Sequence, residues 1–191
     1  MEAVMGVLLG IGLGAACGFR IFVPLLVASI AIHGGFLTVT PEFAWLGGTP
    51  ALITLSIATL LEIAGYYLPV IDNTLDVLGA PAAVIAGTIL AAGFIGHMDP
   101  MLQWGLAAIA GGGAAGVIHA AASATTGGLG NSAVSTAETV SASLVSILAC
   151  VLPVLAVLLL GAAIYLLVRF AISLKRKLAQ AGTPDKVEVQ D

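Results

Sequence analysis

The sequence has very little charge. Of its 191 residues only 8% are Asp, Glu, Lys or Arg, where a soluble domain carries about 25%. That shortage, with 60% hydrophobic residues and a mean hydropathy of +1.14, argues against an ordinary soluble domain and predicts a membrane protein. Basic residues are scarcest: Arg20 stands far ahead of Arg169, Lys175, Arg176, Lys177 and Lys186, so no basic patch exists for nucleic acid. Cys17 and Cys150 sit singly in apolar segments without metal-ligand spacing, which predicts small buried thiols. LGAAC at 13–17 has the outline of a lipoprotein cleavage box. The residues before it include Glu2 but no Lys or Arg, however, and the apolar run continues past Cys17, so an uncleaved membrane helix is the reading. HExxH, GxSxG and Walker patterns are all missing, and the glycine-rich GGLGNS is unspecific. No cofactor, metal or catalytic residue is expected, although an intramembrane enzyme using His119 and a serine is left open.

What the chain does have is long apolar runs rich in Ala, Leu and Gly. They are continuous rather than alternating, so they read as helices and not as barrel strands. The expectation is an all-α polytopic membrane bundle of about six transmembrane helices. The first run, 3–32, is one crossing that is tilted, kinked or broken near Gly18 and Pro24. A connector at 33–49 carries Trp45 as an interfacial anchor. Helix 50–68 ends at Pro69, and an acidic connector with Asp72 and Asp76 leads to helix 81–96. The turn HMDP precedes helix 101–124, the glycine-rich SATTGGLGNSAVST follows, and Pro153 divides the last run into 134–150 and 153–173. Residues 1–173 form one transmembrane domain with candidate halves 1–98 and 99–173, and 174–191 reads as a disordered tail. The basic cluster after Arg169 places the C-terminus in the cytoplasm, and six crossings place the N-terminus there too. GLGAACGFR at 12–20 aligns with GGGAAGVIH at 111–119, matching Gly12, Gly14, Ala15 and Ala16 and setting Arg20 opposite His119. This is the hint of an inverted 3+3 repeat.

Arg20 and Glu62 are the costly residues. A charge inside a bilayer costs about 2.5–3.5 kcal/mol on insertion scales, so such residues face the bundle interior and find partners. Glu62 is the expected partner of Arg20, either as a static lock or as part of a polar solute site. Glu138, near the start of its helix, also complements the helix dipole. His119 reads either as an interhelical hydrogen-bonder or as a proton relay. Asn131, Ser135 and Thr136 are candidate helix caps and accessory polar groups. Gly6, Gly10, Gly14 and Gly18, like Gly112 and Gly116 later, repeat at the four-residue spacing that lets helix backbones approach closely.

ACGFRIFVPLL at 16–26, Glu62 with Pro69 and Asp72, and the series His119, Asn131, Ser135 and Glu138 together resemble the bacterial membrane family called domain of unknown function 4126. The resemblance spans nearly the whole chain. It implies a multi-pass protein of the bacterial inner membrane, and it implies architecture rather than an activity. Where that pattern often has an Asp-Lys pair after the first glutamate, this chain has Tyr66 and Tyr67. Where it often has His-Pro between the last helices, this chain has Leu152-Pro153. Two functions are carried forward: a small transporter or channel for a solute or proton with its site around Arg20 and Glu62, and a non-transporting scaffold in which those charges are structural. The partners expected are the lipid bilayer and further copies of the same chain, with no nucleic acid.

Overall fold

The structure, a computed structural model, describes residues 2–67, 69–96, 98–126 and 132–162, together with 165, 166, 169 and 172. Among the described residues all regular structure is helical, without strands. α1 (Glu2–Ala16) and α2 (Phe22–His33) precede a 3-10 helix (Pro41–Gly47), α3 (Thr49–Gly65) and α4 (Pro69–Phe94). α5 (Pro100–Ala107) passes through a π-turn (Ala108–Gly112) into α6 (Gly113–Thr126), and α7 (Ser132–Val151) follows. A last helix, α8 (Pro153–Ala162), begins at the proline that divides the final apolar run.

The run 3–32 is not one crossing. α1 tightens at its end, where Gly18 N bonds to Ala15 O and Phe19 N to Ala16 O, three residues back instead of four. The chain then reverses. The first residues of α2 lie beside Glu62, near the end of α3, while its other end meets the start of α3 through Ser29 Oγ to Leu46 O and His33 Nδ1 to Gly47 O (2.7 Å). Gly6 of α1 faces the carbonyl of Phe94, and Thr40 N donates to Gly93 O at 2.9 Å on that same end of α4. Met5 and Gly6 also share one cavity of about 720 Å³ with Phe36, Thr38 and Thr40. Both ends of the run are therefore on one side, and α1 and α2 form a helical hairpin with its turn at 17–21. At about 1.5 Å per residue, neither arm matches a hydrocarbon core of about 30 Å.

α4 begins at Pro69, where an acidic connector was expected. A proline ends the helix before it, but its fixed φ also suits the first turn of the next one. The segment holding Asp72 and Asp76 is accordingly helical, and α4 absorbs Pro81 in its interior. Helix also takes in both flanks of the glycine-rich stretch, to Thr126 and from Ser132, while 127–131 lies outside the described residues. The tail expected at 174–191 is outside them as well.

Small residues bring the helices into backbone contact. Along α1 and into the turn that follows, Gly6 faces Phe94 O, Gly10 faces Ala91, Gly14 faces Gly111 and the carbonyl of Gly87, and Gly18 faces Ala115 O and Ile118. α1 thus runs against α4 in one direction and beside α6 in the other, and three glycines, 14, 87 and 111, mark where they cross. Ala149 of α7 and Ala156 of α8 both lie against Gly12, and Leu160 clusters with Ala15, so α8 turns back beside α7. Within α7 the hydroxyls of Thr139, Ser143 and Ser146 each bond the carbonyl four residues back, which lets polar residues sit in an apolar helix.

Among the described residues two helices, Pro100–Ser123 and Val134–Val151, are long and apolar enough to cross a membrane. The 3-10 helix and α3, bent by 62°, make a third candidate. Ile53, Ile57, Leu60 and Leu61 of α3 and Leu144, Ile147 and Val151 of α7 turn outward. Large apolar side chains so arranged suit lipid, and the chain is read as a membrane protein.

Candidate functional site

The turn of the α1–α2 hairpin holds Arg20, which is 1% exposed. Gly18 positions this turn, because its missing side chain lets the backbone rest on Ala115 and Ile118 of α6. Arg20 NH2 donates to Ser135 Oγ at 2.6 Å and Ser135 O at 3.0 Å, and pairs with Glu138 Oε2 at 3.3 Å. The guanidinium lies 3.6 Å from the centre of the Tyr66 ring, a stacked cation–π contact. Its remaining nitrogens, Nε and NH1, are buried without a hydrogen-bond partner.

Glu62 was expected to be the partner of Arg20, but the ion pair goes to Glu138. The Glu62 carboxylate takes the backbone instead: Oε1 accepts from Ile21 N at 2.7 Å and Oε2 from Phe22 N at 3.0 Å. Helix α2 starts at this point, and Ile21 supplies no side-chain cap. A buried helix N-terminus presents free N–H groups and a partial positive charge, so a carboxylate from another helix satisfies both at once. One turn earlier on the same face of α3, Thr59 Oγ1 is buried and unpartnered.

The site is therefore one cation, two carboxylates and the positive end of a half-length helix, assembled from α2, α3 and α7. Ser135 lies inside the first turn of α7, where its carbonyl also accepts from Thr139. Tyr67 and Thr136 join their hydroxyls at 2.9 Å on the outer edge, and the Glu138 side chain remains 21% exposed on that side. Replacing Tyr66 with leucine keeps the apolar packing but removes the aromatic face over Arg20. We expect a loss of about 1–2 kcal/mol in unfolding free energy, read from denaturant titration in micelles.

His119 is elsewhere: its ring lies against Gly79 of α4, and it is not among the groups around Arg20. Asn131 lies outside the described residues. Cys17 is buried in the core beside the turn, and Cys150 is a free, half-buried thiol. Among the described residues no group of His, Cys, Asp and Glu is placed to hold a metal ion. Two participants were not singled out from the sequence, Tyr66 and the α2 backbone. The signal for Tyr66 was its spacing, since it caps the end of α3 four residues after Glu62, just as Ser135 and Glu138 are three apart on α7, and each pair shares a helix face.

No curated protein and no solved structure matches the chain. The family model described as Domain of unknown function (DUF4126) matches residues 7–173, most of the length and all of the site, and the chain belongs to that family.

Proposed function

We propose that this is a small transporter of the bacterial inner membrane that moves a solute bearing an anionic group, with Arg20 as the group that holds the anion. The observation that carries the reading is the buried guanidinium with Nε and NH1 unused. A lock between helices gains most when every buried donor is satisfied, because each unmade bond costs about 1–3 kcal/mol. Two spare donor nitrogens beside the N-terminus of a broken helix are instead the chemistry of an anion site, the kind found where discontinuous helices meet in transporters. Glu62 and Glu138 then act as resident anions that a solute displaces. Protonating Glu62 weakens its hold on Ile21 N and Phe22 N, which couples displacement to a proton. In this reading the basic C-terminal cluster faces the cytoplasm, and small-residue faces pair copies of the chain.

The test is flux in proteoliposomes loaded with a pH-sensitive dye, using acetate, succinate and inorganic phosphate as probes. Wild-type protein is expected to carry at least one of them with a proton, and Arg20→Gln and Glu62→Gln to reduce that flux by tenfold or more. Equal flux in wild-type and both variants would sink the site.

A second reading is favoured by a different observation. Arg20 is 1% exposed and ties the hairpin turn to α3 through Tyr66 and to α7 through Ser135 and Glu138. A non-transporting scaffold needs only that lock. It predicts that the same variants lose thermal stability while wild-type liposomes show no flux above protein-free controls.

A further inference from the structure

Beside the site lies a cavity of about 480 Å³ between α6, α7 and α8, with Phe19, Ile118, Ala121, Ser141, Leu148 and Leu160 among its lining. That volume is in the range of small-molecule pockets. Apart from Ser141, the side chains that line it are apolar. Its position relative to the charges is specific. Phe19 directly precedes Arg20, and Ser141 is one helical turn along α7 from Glu138, whose carboxylate pairs with Arg20. From Ser141 to Leu148 the cavity follows α7 for about 10 Å at about 1.5 Å per residue. The lining thus stops one residue short of Arg20 on the hairpin turn and one helical turn short of Glu138 on α7, the two partners of the ion pair, and is otherwise greasy.

We propose that the solute is a single-chain amphiphile, a medium-length alkyl chain with a carboxylate or phosphate head group. The chain lies in this cavity and the head group replaces Glu138 on Arg20. The proposal rests on the reading of Arg20 as the anion-holding group and names the class of molecule it serves. The apolar cavity selects for the tail, and the spare guanidinium donors select against an uncharged head. A small hydrophilic anion uses the second feature and leaves the first without a role.

The test uses the full-length protein in phosphatidylcholine nanodiscs and a photoreactive alkyl carboxylate, with crosslinks mapped by mass spectrometry. Labelling is expected on α7 and α8 around Ser141 and Leu160. Decanoate and decyl phosphate should compete at least tenfold better than decanol, a comparison that needs no variant. Ser141→Phe fills the cavity without touching Arg20, and should cut labelling at least tenfold while leaving flux of the small anions intact. Arg20→Gln should cut labelling as well. Equal competition by decanol, or undiminished labelling of a monodisperse Ser141→Phe protein, overturns the proposal. If Ser141→Phe keeps its labelling while Arg20→Gln abolishes small-anion flux, the amphiphile is wrong and the anion site stands. If Arg20→Gln changes neither labelling nor flux, the anion site has failed, and this proposal fails with it.

Discussion

Glu62→Ala is expected to destabilise the protein by about 2–6 kcal/mol, the sum of two unmade buried hydrogen bonds at about 1–3 kcal/mol each. Glu62 is the group that satisfies Ile21 N and Phe22 N where α2 begins in the interior. In water an uncapped helix end finds solvent, but Glu62 is only 6% exposed and the turn beside it is packed on α6. Glu62→Gln retains one carbonyl oxygen and loses the second acceptor together with the charge, so it should fall about midway. Unfolding in a denaturing detergent, followed by circular dichroism, ranks the three proteins. An alanine variant as stable as wild type would mean that the carboxylate does not hold the helix end.

The second large effect concerns Gly14→Ala. A methyl group on Gly14 would sit 2.6 Å from Gly111 Cα and 3.1 Å from Gly87 O. Both neighbours are backbone, in α4 and in the π-turn, so no side chain can swing aside and the three helices must separate. Overpacking of a rigid core costs about 1–3 kcal/mol, and this crossing belongs at or above the upper end. Gly111→Ala meets Ala91 and Gly87 in the same way and should behave alike. Gly105 and Gly161 are the controls, since a methyl group at either meets nothing within 4 Å. Alanine there should be neutral or stabilise by about 0.5–1 kcal/mol through reduced backbone entropy of the unfolded chain. Melting temperatures of the four variants in one detergent decide the matter. Equal behaviour of Gly14→Ala and Gly105→Ala would contradict the backbone contact.

How much of this was readable beforehand depends on the physical range of each feature. Arg20 and Glu62 stand out because an isolated charge in an apolar run is costly wherever it ends up. Pro153 marks a break because the residue lacks an N–H whatever surrounds it. The hairpin was less legible. A kinked span and a reversed pair of helices have the same apolar composition, and the turn at 17–21 lies largely in the interior, so apart from Gly18 it carries none of the Pro, Asn, Asp and Ser residues that announce a surface turn. Partner choice was hidden for a related reason. Glu62 takes the α2 backbone only because a helix starts there, and with that start unseen the nearest carboxylate looked like the natural mate for Arg20. Glu138 lies far along the chain and reaches the guanidinium only through the packing of α7 on the hairpin. The match of 12–20 with 111–119 puts Arg20 opposite His119 in sequence, but the fold sets the histidine against Gly79. Pro69 shows a different limit, being equally able to end α3 and to begin α4.

The whole site depends on the α1–α2 hairpin, since only a reversal at 17–21 places Arg20 at a buried turn with a helix N-terminus beside it. The most direct test is sidedness of labelling. In a protein with Cys17 and Cys150 changed to alanine, single cysteines at Met5 and Phe36, which are 45% and 84% exposed, are reacted in intact cells and in inverted vesicles with a membrane-impermeant maleimide. The hairpin predicts that both positions label from the same side. Labelling of Met5 from one side and Phe36 from the other would mean that the run crosses the bilayer, and the site described around Arg20 would not exist.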